Sequence, residues 1–386
     1  MTRRRFHAKK DDEGETQYVF LPTNRSDDHE RGRKMKRRFL SIVILLFVSM
    51  IFLTWATSIS LAADKPKPIN LTFSVYVPAT HFWAELAKQW SDEIEKRTNG
   101  QIKVTTFPGG SLLKSQNAID GVISGVADIA HGGIPHLPGR FPLFELMNYP
   151  LGAESAKALH YTQKDLWKKF HPKEFDEVKL LCLDNCSPSN VWSKKPIRTV
   201  DDFKGLKLRT AGSGTDAIKA LGAIPVAVAL SSEVYEMLAK GIVDGHASSL
   251  NNLVGYHEDE VTHYLTMVPL NCYNFYTVMN KKKWESLPDN IKKIIDDWDD
   301  EYQAIAADRW NEEVPEGLAY AKAKGMEIIY FSPEELAKFN AILEPIAGAY
   351  VKKVEAKGIK EIGPFYEETK RLLPKYNKLY PAPEVK

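Results

Sequence analysis

The chain has 386 residues, of which 44% are hydrophobic and 26% are charged, the proportions of a globular protein with a sizeable core. Its length suggests two domains or one large domain. A formal net charge of +2 argues against nucleic acid or another polyanion as a partner.

The N-terminus has the pattern of an export signal. Residues 1–38 form a basic extension and n-region, and residues 39–62 form an apolar run that ends in small residues. This arrangement is typical of a secretory signal peptide with cleavage after Ala62. The run is also long enough to span a bilayer, so an uncleaved anchor in the inner membrane is the alternative. In either case the chain beyond residue 64 is predicted to lie in the periplasm.

The position of Met35 bears on where the protein begins. Met35 stands where a signal peptide normally starts, so we interpret residues 1–34 as the product of a misplaced start codon. These residues are therefore left out of the fold prediction. No further apolar run of membrane-spanning length follows residue 64, which predicts a soluble domain outside the cytoplasmic membrane.

Strands and helices alternate through the exported part of the chain. Residues 69–77 form a predicted strand that leads into an amphipathic helix and then a second strand. Such alternation predicts a parallel sheet with helices on both faces. Because the alternation occurs twice, we predict two α/β lobes joined by hinge strands. The predicted lobe I comprises residues 69–186 plus 275–314, and lobe II with the C-terminal helices comprises 187–274 plus 315–386.

A long amphipathic helix is predicted from Pro288 onward. Ile291, Ile295 and Trp298 recur there at helical spacing. Pro315 is expected to kink this helix or to split it in two. The rest of the chain is predicted to be helical, with charged faces exposed to solvent.

Arg209 is the most distinctive candidate for a binding residue. It ends a short predicted strand in the stretch FKGLKLRTAGSGT, residues 203–215, and a glycine-rich turn follows it. The turn lacks the complete motifs of nucleotide-binding loops, although N–H groups at a helix start favour any anion. Ligands of open α/β sheets bind at the carboxyl ends of strands, where a guanidinium can grip a carboxylate. A structural or surface arginine is the alternative.

The sequence gives little support to other kinds of chemistry. No GxSxG, CxxC or HExxH motif occurs, so no catalytic residue, metal or cofactor is predicted. In a strand, Cys182 and Cys186 would lie about 13 Å apart, too far for a disulfide. A bridge between Cys182 and Cys272 stays open, and buried free thiols are the favoured interpretation.

Aromatic residues are concentrated where the two lobes should meet. They include Trp192, Tyr273 and Phe275. Most aromatic residues belong to hydrophobic cores, but ligand sites also have largely apolar walls. Some of these rings are therefore candidates for a pocket wall.

Three motifs resemble the substrate-binding subunit of TRAP transporters, the tripartite ATP-independent periplasmic family. They are DDFKGLKLR, ALGAIP and SEVYEMLAKGIVDG, in this order within residues 201–245. The resemblance extends over residues 69–370. It implies a two-lobed periplasmic binding protein, type II-like, with a long C-terminal helix spanning both lobes. It also implies closure on a ligand and delivery to the small and large membrane subunits of an ion-gradient-driven permease. In the family the arginine at the position of Arg209 binds the substrate carboxylate.

Departures from the family pattern narrow the range of ligands that the resemblance leads us to expect. Ser189 stands where many relatives carry a second arginine, and Ser248 stands where an asparagine is frequent. The segment that begins at His246 lacks the acidic residue and tryptophan of metal-bridged relatives. Since an unpaired buried charge is costly, one arginine predicts a monocarboxylate with an apolar or aromatic remainder.

The expected ligand site also draws on a strand-to-helix junction. The junction PATHFW offers Thr80, His81 and Trp83 to the cleft. The complete set of predicted ligand-binding residues is Arg209, Ser189, Trp192, Ser248, His246, Thr80, His81, Trp83, Tyr273 and Phe275.

Three other functions remain as alternatives. One is the binding protein of an ATP-driven importer, which has similar lobes without this motif set. The second is a ligand-sensing periplasmic receptor, which an uncleaved anchor at residues 39–62 would favour. The third is a periplasmic enzyme, for which the sequence offers no reactive constellation.

Overall fold

A computed structural model describes residues 6–10, 12–20, 35, 67–227 and 233–383. The predicted export segment 39–62, with its cleavage position after Ala62, lies outside the described residues. The chain divides into two units. The described part of Met1–Lys67 contains an antiparallel hairpin of β1 (Phe6–Lys10) and β2 (Thr16–Phe20). Within the described residues, no helix has both the length and the apolar character that crossing a membrane requires.

A five-stranded sheet forms one lobe of the second unit, Pro68–Lys386. Its strands are β3 (Ile69–Val75), β4 (Ile102–Phe107), β5 (Ile129–Gly133), β6 (Val178–Asn185) and β12 (Asn274–Asn280). They lie in the order β4-β3-β5-β12-β6. Strand β3 runs parallel to β4 and β5, as the strand–helix alternation predicts, whereas β12 is antiparallel to β5 and β6. We call this part the five-stranded lobe.

A six-stranded sheet forms the other lobe, which we call the six-stranded lobe. Its strands are β7 (Asn190–Ser193), β8 (Lys207–Thr210), β9 (Ile224–Ala227), β10 (Gly245–Ser248), β11 (Tyr264–Met267) and β13 (Glu327–Tyr330). They lie in the order β13-β11-β7-β10-β8-β9. Strands β8 and β10 are parallel, and their register sets Arg209 beside His246.

Helices cover both sheets. They are α1 (Phe82–Arg97), α2 (Ala118–Ile123), α3 (Pro142–Glu145), α4 (Ala156–Phe170), α5 (Gly214–Ala220), α6 (Val234–Ala239), α7 (Leu250–Gly255), α8 (Lys281–Ser286), α9 (Asp289–Ala323), α10 (Pro333–Ala356) and α11 (Ile362–Leu379). Helix α1 buries Leu86, Trp90 and Ile94, whose spacing places them on one face. His81 precedes this helix and accepts a hydrogen bond from the Trp83 backbone N–H through Nδ1, at 3.1 Å. This cap fixes the direction of His81.

Helix α9 spans both lobes. Its 35 residues correspond to about 52 Å. Ile295 and Trp298 pack into the core of the five-stranded lobe, whereas Leu318 packs beside Trp192 in the six-stranded lobe. The helix continues through Pro315, so of the two effects expected of this proline, a kink or a division into two helices, the division does not occur. Near this proline, α9 packs closely on α7. A Cβ added at Gly317 would lie only 2.6 Å from the Leu250 Cβ.

The last two helices connect the lobes again. Helix α10 places Phe339 in the core of the six-stranded lobe and Tyr350 in that of the five-stranded lobe. Helix α11 packs on α4, and Tyr376 Oη donates to Asp165 Oδ2 at 2.6 Å. Residues 315–386 were predicted to belong to lobe II, which corresponds to the six-stranded lobe. The apolar face of α11 instead packs into the core of the five-stranded lobe. An amphipathic helix buries its apolar face against another structural element, and for α11 that element belongs to this lobe.

The chain crosses between the lobes in two adjacent extended segments. Their backbones are paired, since the N–H of Cys186 donates to the Tyr273 carbonyl at 3.0 Å and the N–H of Ser189 donates to the Asn271 carbonyl at 2.7 Å. All three cysteines are buried and free, so no bridge joins Cys182 and Cys272. These paired segments correspond to the predicted hinge strands.

Candidate functional site

A cavity of about 220 Å³ lies between the two lobes. Its walls come largely from residues that follow the carboxyl ends of parallel strands. Tyr76 follows β3, Gly109 follows β4, Ala211 follows β8 and Ser249 follows β10. Loops converge at these ends in an open α/β sheet. The fold therefore forms a pocket at the place where such sheets bind ligands.

Arg209 provides the buried positive charge of this cavity. It lies in β8 and lines the cavity, although only 2% of its surface is exposed. Burial lowers the pKa of Arg209, while the nearby Tyr273 and Glu258 raise it. A guanidinium carries five N–H donors in a planar fork, which matches the geometry of a carboxylate. This side chain is suited to bind one acidic group.

His246 and Glu258 support Arg209 through successive hydrogen bonds. Arg209 Nη1 lies 2.7 Å from His246 Nε2, and His246 Nδ1 lies 2.8 Å from Glu258 Oε2. Because arginine can only donate, Nε2 must accept and Nδ1 must carry the proton that Glu258 receives. Burial lowers the pKa of His246, which favours this neutral tautomer. Trp192 Nε1 also donates to Glu258 Oε2, at 2.6 Å. The chain of hydrogen bonds fixes the guanidinium in position.

One side of the cavity is aromatic. Trp83, Phe275 and Trp310 line it. Trp83 stacks on His131 with 3.7 Å between ring centroids, and Phe275 stacks on Trp310 at 5.4 Å with an interplanar angle of 6°. Burial lowers the pKa of His131, so this ring is neutral beneath the indole. The result is an apolar, aromatic wall that suits the ring of a ligand.

Neutral polar groups also line the cavity. Burial lowers the pKa of His81 and that of His136 to about 4, so both rings are uncharged at neutral pH. His81 Nε2 lies 3.2 Å from the Asn251 side-chain amide, in a contact between the lobes. Because His81 Nδ1 accepts from the Trp83 N–H, the neutral ring donates through Nε2, and the Asn251 amide must present its oxygen to accept. His136 Nδ1 lies 2.6 Å from Ser115 Oγ. His136 can form a hydrogen bond with a ligand without adding charge, whereas both ring nitrogens of His81 already have partners.

The glycine-rich turn after β8 serves lobe contact rather than anion binding. The N–H groups of Gly214, Thr215 and Asp216 donate to carbonyls of the same turn, so they do not face the cavity. Gly212 has a φ of +47°, and a Cβ there would lie 3.0 Å from the Pro135 Cβ in the other lobe. Glycine is required here because the two lobes approach closely.

The sequence of this chain matches a known protein family over most of its length. The model of the bacterial extracellular solute-binding proteins, family 7 (DctP), matches residues 73–353. The chain belongs to this family. Solute-binding proteins of this family are substrate-binding receptors of TRAP transporters and not enzymes. The likeness does not favour an ATP-driven importer or a sensor, and it is consistent with a periplasmic location.

Individual relatives support the same assignment. The C4-dicarboxylate-binding periplasmic protein DctP of Rhodobacter capsulatus is 27% identical over 319 residues, covering 80% of this chain and 95% of the relative. A TRAP periplasmic solute binding protein from Desulfovibrio salexigens is 34% identical with a TM-score of 0.73, covering 80% of this chain and 96% of that one. A marine metagenome TRAP solute binding protein specific for aromatic acid ligands, in complex with 3-hydroxybenzoate, is 27% identical with a TM-score of 0.76, covering 80% and 99%.

The structure of this TRAP receptor divides the predicted site residues into two groups. Those that line the cavity are Arg209, Ser248, His81, Trp83, Tyr273 and Phe275. Of the others, His246 contacts Arg209 directly, and Trp192 donates to Glu258, which also contacts His246. Ser189 is buried in a crossing segment, and Thr80 is exposed in the turn before α1.

Several lining residues were not predicted. They are Tyr76, Lys114, Ser115, His136, Asn251, Tyr256 and Trp310. Tyr76 directly follows β3, so the rule on carboxyl strand ends could have found it. Trp310 lies in α9 at a spacing that is indistinguishable from that of a core residue. Asn251 lies in the first turn of α7, and the other residues lie in connections between the main helices and strands, whose positions local sequence patterns do not determine.

Proposed function

We propose that this TRAP receptor captures a small monocarboxylate with a flat, apolar remainder. The observation that carries the proposal is Arg209, a buried cation that lines the same cavity as three aromatic residues, Trp83, Phe275 and Trp310. One guanidinium can bind one carboxylate through two parallel hydrogen bonds. The neutral rings of His81 and His136 give no partner to a second buried anion.

The ligand's remainder would lie against the aromatic surface. Trp83, Phe275 and Trp310 offer stacked faces, and the volume of about 220 Å³ suits a single small ring or a short chain. The relative specific for aromatic acids, which holds 3-hydroxybenzoate, supports this class of ligand. Hydroxyl substituents would meet Ser115, His136 or Asn251. The loaded receptor would then dock on the small and large membrane subunits of a TRAP permease.

A dicarboxylate is the second candidate. Lys114 lines the cavity but is exposed, so it could bind a second carboxylate at the rim without a buried charge. The name of the Rhodobacter capsulatus relative, a C4-dicarboxylate-binding protein, supports this class. The two candidates differ in whether Lys114 contributes to affinity.

A thermal-shift titration separates these possibilities. We expect 3-hydroxybenzoate to stabilise the wild-type protein, by about 2.7 kcal/mol at one hundred times its dissociation constant. Arg209→Ala should abolish the shift, and Lys114→Ala should leave it unchanged. If succinate alone stabilises the protein and Lys114→Ala removes that effect, the ligand is a dicarboxylate. Normal binding by Arg209→Ala would contradict both candidates.

A further inference from the structure

Asp184 holds two tryptophans of the cavity wall at one point. It lies in β6, and 1% of its surface is exposed. Its Oδ2 accepts a hydrogen bond from Trp83 Nε1 at 2.9 Å and another from Trp310 Nε1 at 2.8 Å. Trp83 belongs to α1 and Trp310 to α9. One carboxyl group therefore sets the directions of two rings that come from distant parts of the chain.

The hydrogen bonds determine how the indoles face the cavity. An indole has a single N–H donor, and a buried donor without an acceptor is costly. With both donors directed to Asp184, Trp83 stays stacked on His131 and Trp310 stays parallel to Phe275. Without this acceptor, each ring would turn to find another partner. The present arrangement of the aromatic wall would then be lost.

The environment of Asp184 supports a positioning role. Burial raises its pKa to about 7, while the two indole N–H groups lower it. Its Oδ1 has no hydrogen-bond partner within the described residues. Both the carboxylate and the neutral acid can accept through Oδ2. The anchor of the two indoles is therefore present on either side of neutral pH.

We infer that Asp184 is a specificity-determining residue that acts by positioning Trp83 and Trp310. By holding both indoles, it gives the receptor a preference for acids with an aromatic ring over aliphatic acids of equal charge. Arg209 binds the carboxylate of either kind of acid, so it cannot make this distinction. The inference rests on the proposed function and adds a determinant of selectivity to it.

Asp299 offers a matched control. It is buried in α9 with 5% of its surface exposed, and it accepts a hydrogen bond from Trp90 Nε1 at 2.8 Å. Trp90 belongs to the core of the five-stranded lobe and is not among the residues that line the cavity. A substitution at Asp299 thus removes the same kind of indole anchor without changing the cavity wall.

Calorimetric titration with benzoate and propionate tests the inference. We expect the wild-type protein to prefer benzoate, and Asp184→Leu to lower the ratio of the two affinities about tenfold, since stacking on both rings is weakened. Propionate affinity should change by less than about threefold. Asp184→Asn retains an acceptor oxygen and should keep the preference. Asp299→Leu should also keep it, even though its unfolding temperature falls.

The possible failures are distinguishable. An unchanged affinity ratio in Asp184→Leu would overturn the inference and leave the proposed function intact. A wild-type protein that binds neither acid would contradict the proposed aromatic ligand and the inference with it. If Asp184→Leu does not fold, Trp310→Phe removes one of the two donors and keeps a ring. That variant should also lose part of the preference, and an unchanged ratio there would contradict the inference.

Discussion

Arg209 Nη1 lies 2.7 Å from His246 Nε2, and both residues are buried in adjacent parallel strands. The neutral histidine takes a hydrogen bond from the guanidinium and directs its own proton toward Glu258. A long, flexible side chain is thereby held in one orientation before any ligand arrives. Such preorganisation increases affinity because less conformational entropy is lost on binding.

The first prediction concerns this support. His246→Phe keeps a ring of similar shape but removes the acceptor for Arg209. We expect the affinity for 3-hydroxybenzoate to fall about tenfold, which corresponds to roughly 1.4 kcal/mol, although His246 does not line the cavity. The exposed His263 provides the control, since His263→Phe should leave the affinity unchanged. Equal affinities in calorimetric titrations of wild type and His246→Phe would refute the supporting role.

The second prediction concerns the contact of Gly212 with Pro135. Gly212→Ala adds a Cβ that would lie 3.0 Å from the Pro135 Cβ, so the two lobes cannot approach as closely. We expect ligand affinity to decrease several-fold, by about 1 kcal/mol. Gly241 has a φ of +72°, but a Cβ added there would have nothing within 4 Å. Gly241→Ala should therefore destabilise the fold through its backbone and leave affinity intact. Similar affinity losses in both variants would assign the effect to general destabilisation.

The third prediction concerns the contact of His81 with Asn251. These side chains meet across the cavity at 3.2 Å, so their interaction is available only when the lobes are together. A double-mutant cycle with His81→Leu and Asn251→Ala should give a coupling energy of about 1 kcal/mol in ligand binding. The cycle cancels the separate role of His81 in capping α1. Additive effects of the two substitutions would show that the contact does not contribute to closure.

The fourth prediction concerns pH and stability. Burial lowers the pKa of His160 to about 4, below the ordinary value of about 6.5. The unfolded chain therefore binds more protons between these values, and the contribution of His160 to stability falls as the pH falls through this window. The variant His160→Gln has no such loss of stability at low pH. Its free energy of unfolding, relative to wild type, should rise by up to about 3 kcal/mol between about pH 7 and about pH 4.

Urea unfolding at several pH values measures this difference. A stability difference between His160→Gln and wild type that does not vary with pH would show that His160 titrates normally. Other buried groups do not affect the comparison, because they are common to both proteins.

The sequence was most informative where a residue's role follows from its place in a strand. Arg209 could be predicted because it lies at the end of β8, and parallel strands direct their carboxyl ends to the ligand side. Trp310 could not, since its spacing in α9 is that of any buried helix residue. The partner of His246 was also missed, because Glu258 reaches it from a separate 3-10 turn.

Tertiary packing explains the remaining differences. Helix α11 has an apolar face that local patterns detect, but only the folded chain shows that α4 covers it. Pro315 weakens a helix locally, yet contacts on both sides of it keep α9 continuous. These features depend on contacts between residues far apart in sequence, which a pattern of neighbouring residues does not contain.

A crystal structure with bound 3-hydroxybenzoate is the most direct measurement of how this receptor recognises its ligand. We expect both carboxylate oxygens within hydrogen-bonding distance of the Arg209 guanidinium, and the ring against Trp83, Phe275 and Trp310. A ligand whose acidic group is held by another residue, with Arg209 making no contact to it, would contradict the account.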